Sequence, residues 1–268
     1  MTASSPMDSY SPREIASRVE GAGVTKAGLD ALSTYALALL AGAFITLGGL
    51  LYTVVVTDST LGFGVTKLIG GLAFCLGLIL VVLAGAELFT GNNLVAIAWA
   101  SGKIRGRALL RNWILVYAGN VVGALGTTAL ILLAGVHELS DGEVGRTAVA
   151  IAKSKAALDP VTLLARGILC NALVCLAVWL AMGGRTLADR LLAVLFPITA
   201  FVAVGFEHSI ANWFFLPYAM LLMGDGSLLG GSALNLAIVT IGNVIGGTLL
   251  VAGVYWFIYL RPPDAPKS

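Results

Sequence analysis

The sequence predicts an all-α polytopic membrane protein, with six transmembrane helices forming a 3+3 inverted repeat in which helices 2 and 5 are broken. Three observations lead there. Of 268 residues, 58% are hydrophobic and only 11% charged, with a mean hydropathy of +0.94; soluble domains carry about a quarter charged residues. Two long apolar stretches are interrupted by one shared pattern, glycine-x-glutamate-x-x-x-small-asparagine, at Gly85–Asn92 and Gly205–Asn212. Flanking segments also recur in order at 120 to 124 residues. Leu39-Leu40-Ala41 resembles Leu163-Leu164-Ala165, and Gly119-Asn120-Val121-Val122-Gly123 resembles Gly242-Asn243-Val244-Ile245-Gly246.

In chain order, residues 1–32 form a polar N-terminal segment. Ser11-Pro12-Arg13-Glu14 offers a serine cap, a proline at the first helical position and a glutamate to close a capping box, so a short helix starts here. Gly21 and Gly23 are expected to end it. The first 30 residues have no apolar core of the signal-peptide kind, so this segment is expected to be retained. Residues 33–260 make the membrane domain and residues 261–268 a cytoplasmic tail.

The first span is Ala31 to Val56, long enough where about 20 apolar residues cross a bilayer. The second runs from Leu68 to Ala100 with an interruption at Glu87, the third from Asn112 to Gly135, the fourth from Val161 to Met182. The fifth runs from Leu191 to Leu222, interrupted at Glu207-His208, and the sixth from Ala233 to Tyr259. Elements two and five are too long for one straight crossing and too short for two. A break at mid-depth accounts for both, since irregular backbone is tolerated where protein or a cavity surrounds it.

Eleven Lys and Arg fall in the N-terminal segment, the 100–112 and 183–190 loops and the tail. Only four fall in the opposite loops, where 136–159 is read as a connection. By the positive-inside tendency both termini are cytoplasmic. Three spans per half make the second half enter from the opposite side, and the natural site is at the midplane where the two broken helices meet. The net charge of +2 gives no reason to expect a nucleic-acid partner. Cys75, Cys170 and Cys175 all lie in apolar runs, so no disulfide framework is expected.

Overlaying the halves pairs Glu87 with Glu207 and Asn92 with Asn212, residues expected to serve the breaks themselves. Each glutamate is expected to cap the half-helix that follows, accepting from its free amides. Leu88, however, pairs with His208. A titratable imidazole at a helix break inside the membrane is costly and points to function, as a hydrogen-bond donor or a proton carrier. Thr90 is either a cap or a hydroxyl offered to a ligand beside His208. Asn171 and Asn243 sit inside spans, for interhelical bonds or pore lining. Lys153 and Lys155 are loop charges by default, or a lure for anions at an entrance. A membrane enzyme using Glu207 and His208 is the rival class, but no HExxH or GxSxG motif supports it. No metal and no cofactor is expected.

The assembled pattern resembles the formate/nitrite transporter family. The matching motifs are Ala86-Glu87-Leu88-Phe89-Thr90-Gly91, Asn171-Ala172-Leu173-Val174-Cys175-Leu176, Gly205–Asn212 and Gly242-Asn243-Val244-Ile245-Gly246-Gly247. Ala100-Ser101-Gly102-Lys103, with Asn112-Trp113 and Gly119-Asn120, resembles the formate-channel branch. The resemblance implies an aquaporin-like protomer in a homopentamer of the bacterial inner membrane, surrounded by lipid. It implies passage of small monovalent anions: formate first, with nitrite, hydrosulfide, acetate and lactate as alternatives. Carried over by motif, His208 and Thr90 form the central pair, and Asn171 and Asn243 line the path. Phe74, Leu78, Leu88, Phe89, Val174 and Phe201 build the apolar slits. Lys155 matches the vestibule lysine, with Lys153 close behind, and the N-terminal helix resembles the pH-linked segment of formate channels. Trp213 stands where formate channels usually have methionine, and the loop around Gly224 to Ser232 is shorter than theirs.

Overall fold

The computed structural model describes residues 9–262; the first eight residues of the N-terminal segment and most of the expected tail lie outside that range. All regular structure described is helical. Five helices are long and apolar enough to cross a membrane: Ala31–Val56, Phe63–Gly85, Gly106–Leu133, Pro160–Gly183 and Leu229–Tyr259.

Helix α1 covers Pro12–Gly28, with the Ser11/Glu14 capping box in place. It does not end at Gly21 or Gly23. A methyl group on Gly23 would stand 3.1 Å from Ala98 Cβ, so this glycine serves close packing and the helix continues to the Asp30 cap of α2. Helix α2 is Ala31–Val56 and α3 is Phe63–Leu80, the latter extended by a π-helical turn at Val81–Gly85. The chain then breaks. Gly85 takes φ +84°, a left-handed conformation that favours glycine, and Ala86 is extended. A 3-10 turn at Gly91–Val95 leads into the short α4, Ala96–Ala100.

Helix α5 covers Gly106–Leu133, starting almost two turns before the expected Asn112. The 136–159 connection, read as a loop, contains the 14-residue helix α6, Glu143–Ala156, so Lys153 and Lys155 lie in a helical last turn. Its mixed polarity hid it from any search for apolar spans. Helix α7 is Pro160–Gly183 and α8 is Leu187–Ala203. A second break follows, with Gly205 at φ +77° and His208 extended, before α9 at Ser209–Met223. Neither α8 nor α9, at 17 and 15 residues, has the length of a full crossing. Helix α10, Leu229–Ile245, runs through a π segment at Gly246–Gly253 into α11, Val254–Tyr259.

The helices pack in a continuous series, α5 on α2, α2 on α3, α3 on α8, α8 on α7 and α7 on α10. The series reads the same from either end if α2 answers to α7, α3 to α8 and α5 to α10. Close approaches recur at the same places. A Cβ on Gly123 would fall 2.0 Å from Leu39 O, and one on Gly246 would fall 2.0 Å from Ile168 O. The register of the first and fourth spans thus differs from the sequence expectation. Leu39 answers to Ile168, 129 positions on, rather than to Leu163 at 124. The amide bonds at the breaks agree, Glu87 N donating to Leu37 O (3.2 Å) and Glu207 N to Arg166 O (3.4 Å). Similar leucine-rich runs had suggested the other alignment, and the backbone contacts override that likeness.

Candidate functional site: two braced helix breaks around one histidine

Each break frees backbone groups that must be satisfied inside the protein. One asparagine does most of this work in each half. Asn120, on α5, donates from Nδ2 to Ala38 O (2.8 Å) and Glu87 O (2.9 Å) and accepts the Phe89 amide on Oδ1 (2.8 Å). Asn243, on α10, repeats the set with Gly167 O (2.8 Å), Glu207 O (3.0 Å) and the Ser209 amide (2.9 Å). Asn171 donates to Thr90 O (3.2 Å), Asn93 Oδ1 (3.2 Å) and Asn243 O (2.6 Å). Asn171 and Asn243, expected along the path, are therefore turned to the backbone and to other buried amides, and neither lines the two voids described below.

The glutamates do not cap the half-helices. Their carboxylates meet a lysine and an asparagine instead. Glu87 accepts Lys26 Nζ (2.5 Å) and Asn92 Nδ2 (2.6 Å), and Asn92 Nδ2 also donates to Asn112 Oδ1 (3.0 Å). Glu207 accepts Lys155 Nζ (2.9 Å) and Asn212 Nδ2 (2.7 Å), and Asn212 Nδ2 also donates to Asn235 Oδ1 (2.7 Å). An uncompensated carboxylate at this depth is costly, and an ammonium with a full set of hydrogen bonds offsets that cost. Sequence reading missed Lys26, Asn112, Asn235 and the bracing role of Asn120. The signal was present in the offsets: Lys26 lies 129 positions before Lys155, as Leu37 lies before Arg166, and Asn112 lies 123 before Asn235, as Asn120 lies before Asn243.

The two brackets differ in one respect. Lys26 also donates to Asn92 Oδ1 (3.1 Å), whereas Asn212 Oδ1 has no partner. Lys155 stands over the Phe215 ring at 5.3 Å and lines a cavity of about 380 Å3 together with Glu207, Asn212 and His208. Lys153 is exposed and does not line it. Lys67 and Arg166 do, and sequence reading had assigned neither a role.

At the inner end of that cavity sits His208, 3% exposed. Its Nδ1 accepts the Ala211 amide (3.1 Å), which leaves the neutral ring's proton on Nε2, 3.0 Å from Thr90 Oγ1. The Phe201 ring stacks on the imidazole, centroids 5.9 Å apart, and meets Phe74 edge-on at 5.7 Å. Beyond lies a constriction too narrow for a water molecule, lined by Ile45, Phe74, Leu78, Leu88, Val174, Ile198, Phe201 and His208. Five of the six expected slit residues are there. Phe89 is not. The chain turns at Phe89 as it enters the 3-10 segment, and the Phe89 ring packs away from the constriction, on Tyr117 (4.9 Å) and Trp113 (6.3 Å). Trp213 belongs to a neighbouring polar chain, donating from Nε1 to Tyr117 Oη (2.9 Å), which meets Thr240 Oγ1 at 3.1 Å.

Membrane-length helices around an apolar constriction, with one polar pair at its end and cations in the adjoining cavity, define a polytopic membrane protein of the transport class. Comparison with known proteins agrees. A family model described as formate/nitrite transporter matches residues 13–257. The formate channel FocA of Escherichia coli K12 is 41% identical over 98% of this chain and 99% of its own. The FocA of Haemophilus influenzae is 36% identical over 91% and 92%. Among solved structures, a pentameric formate channel with formate bound superposes with a TM-score of 0.76 at 39% identity, covering 86% of this chain and 98% of that one. An FNT family ion channel gives 0.81 at 28% identity, covering 91% and 98%. The chain belongs to the formate/nitrite transporter family.

Proposed function

We propose that this protein is a channel for small monovalent anions, formate first, in which His208 and Thr90 form the polar station of an otherwise apolar pathway. The observation that carries this is a constriction too narrow for water, with His208, bonded to Thr90, in its wall, beside a cavity bearing Lys155. An ammonium lining a cavity raises the local concentration of anions. Lys155 has donors to spare beyond Glu207, and Nε2 of His208 offers the next hydrogen bond inward. A proton transferred to the anion here would let a neutral acid cross Leu78, Leu88 and Phe201, where desolvating a charge is costly. With Nδ1 committed to the Ala211 amide the ring is neutral and carries one proton, on Nε2, whose loss would leave an imidazolate. His208 therefore holds the anion by donating this hydrogen bond, and the proton that neutralises the anion reaches it from water by way of the cavity.

The wider architecture follows the same reading. The palindromic packing order and the duplicated Lys-Glu-Asn-Asn brackets support six spans in a 3+3 inverted repeat, with α8 and α9 together forming the fifth crossing. The N-terminal segment, the membrane domain and the tail divide near residues 32 and 260, with both termini cytoplasmic in a bacterial inner membrane. The solved relative that holds formate is pentameric, and the exposed leucines and phenylalanines of this protomer suit a homopentamer set in lipid.

The test is flux of formate, nitrite and hydrosulfide into liposomes at neutral and mildly acidic pH. Formate flux that changes with pH is expected, and His208→Asn should alter its selectivity or proton coupling while the protein still assembles. Unchanged flux and pH response in that variant would sink the proton-transfer reading. Flux of nitrite or hydrosulfide without formate would overturn the substrate.

A further inference from the structure

The near-repetition of the two halves supplies an internal control. Where a residue serves only to build a break, its counterpart in the other half has the same chemistry, as with Glu87 and Glu207 or Asn120 and Asn243. Where the counterparts differ, the break has been built without the extra group. His208, opposite Leu88, is one such departure. Arg166 is another. Its backbone carbonyl accepts the Glu207 amide, and the residue doing the same for Glu87 is Leu37. A leucine therefore suffices to make the break. A guanidinium in the same place, on a membrane-length helix, carries a cost that the fold does not require.

The surroundings of Arg166 show where that charge is directed. Nη1 donates to Gly205 O (3.2 Å), the carbonyl of the left-handed glycine, and the side chain lines the 380 Å3 cavity. Lys67 lines the same cavity from α3, its Nζ 3.4 Å from Tyr52 Oη. At the 120-residue offset its counterpart is Leu187, so this cation is also confined to one half. Among the described residues, neither Arg166 nor Lys67 pairs with a carboxylate. The only carboxylate lining the cavity is Glu207, already held by Lys155. The cavity thus contains two cations whose charge no side chain answers.

We propose that Arg166 and Lys67 form an outer docking subsite for carboxylates, upstream of Lys155 and His208. Arg166 has five N–H donors in a planar fork, one of them engaged by Gly205, and that fork matches the two oxygens of a carboxylate. Lys67 contributes a point charge that raises the local anion concentration without selecting shape. The subsite favours carboxylates over spherical anions of equal charge and captures them before the closed slit. This rests on the anion-channel reading above.

The test measures half-saturating concentration and maximal flux of formate and of hydrosulfide in liposomes at low ionic strength. Arg166→Gln can keep the Gly205 bond while removing the charge; it should raise the half-saturating formate concentration roughly ten-fold and leave maximal flux within about two-fold. Arg166→Lys should recover the hydrosulfide value but not the formate value, because a point charge replaces the fork. Lys67→Gln should weaken both anions by a similar factor. A formate half-saturation within about two-fold of wild type in Arg166→Gln overturns the subsite. Full recovery of formate by Arg166→Lys also overturns it, leaving only a diffuse field. Should Arg166→Gln not assemble, Arg166→Lys and Lys67→Gln still decide the question. Wild-type protein that passes no formate defeats the channel reading itself, a distinct outcome.

Discussion

Replacing Asn120 or Asn243 by alanine is the most direct test of how the breaks are held. Both side chains are fully buried, and each makes three hydrogen bonds to backbone. One of the three, to Ala38 O or Gly167 O, falls on a carbonyl inside a helix that keeps its own helical partner. The other two fall within the breaks, where no helical partner exists: Glu87 O and the Phe89 amide in one half, Glu207 O and the Ser209 amide in the other. Leaving a buried backbone group unsatisfied costs about 1–3 kcal/mol, so two should cost roughly 2–6 kcal/mol in either variant. For a chain of this size that is a fall in melting midpoint on the order of 10 °C. Thr128→Val is the control, since its buried hydroxyl donates only to Ala124 O of its own helix (2.7 Å) and its loss orphans nothing in a break. Thermal unfolding of the detergent-solubilised protein, followed by circular dichroism, reads all three. Asn120→Ala and Asn243→Ala should fall together, well below Thr128→Val. If either melts within a degree or two of the control, or if only one of the pair falls, the bracing argument is wrong.

Two further outcomes follow from the site and the N-terminal helix. Leu78→Ala enlarges the apolar void beside Phe201; it should cost about 2–5 kcal/mol of stability and let partly hydrated anions leak, seen as chloride flux that the parent protein does not show. The Glu14 carboxyl is held below its ordinary value, chiefly by its bond to the Ser11 side chain and then to the Ser11 amide. The group is depressed in the folded state, so its contribution is present above the unfolded value and is lost as pH falls through the folded one. Protection of the first-turn amides of α1, taken relative to their intrinsic exchange rates, should therefore fall as pH drops below the ordinary carboxyl range, and Glu14→Gln should remove that dependence.

Much of this molecule was legible because the membrane leaves few alternatives. An apolar run of membrane length has to be a helix, and Ala31–Val56 and Pro160–Gly183 came out within a residue of the expected limits. Charge inside an apolar run has to be compensated, which picked out both breaks. Local chemistry was less informative. Gly21 and Gly23 look like helix ends until Ala98 is seen packed against Gly23, a contact no local pattern encodes. Helix α6 lacks the apolar continuity that marked the spans. The partners of Glu87 and Glu207 arrive from 61 and 52 residues earlier, and a capping role was the nearest explanation a local reading could give. Phe89 was placed with Leu88 because motif adjacency does not show that the chain turns there and aims the ring at Tyr117 and Trp113.

The duplicated frame also bears on how such a site becomes directional. Both halves make a break, tie it with one asparagine and clamp it with a lysine and a glutamate, so a symmetric molecule would present two equivalent stations. The differences all fall on one side. Leu88 and His208 face the same void, so one wall is apolar and the other donates a hydrogen bond. Lys26 spends two bonds on its bracket, on Glu87 and Asn92, whereas Lys155 spends one and faces a cavity. Asn92 Oδ1 is satisfied, and Asn212 Oδ1, in the cavity wall, is left as a buried acceptor without a donor. A buried orphan acceptor is destabilising, a cost that the first half avoids through the second Lys26 bond. The two halves share the groups that build the breaks, and the permeant is met where the halves depart from each other: at His208 in place of Leu88, and at Lys155, which makes one bracket bond and faces a cavity where Lys26 makes two. Asn212→Asp, which keeps the shape but cannot donate to Glu207 or Asn235, should damage stability. By the same logic Leu88→Asn should change conduction, and its buried amide should lower stability by the cost of unpaired polar groups without loosening either break.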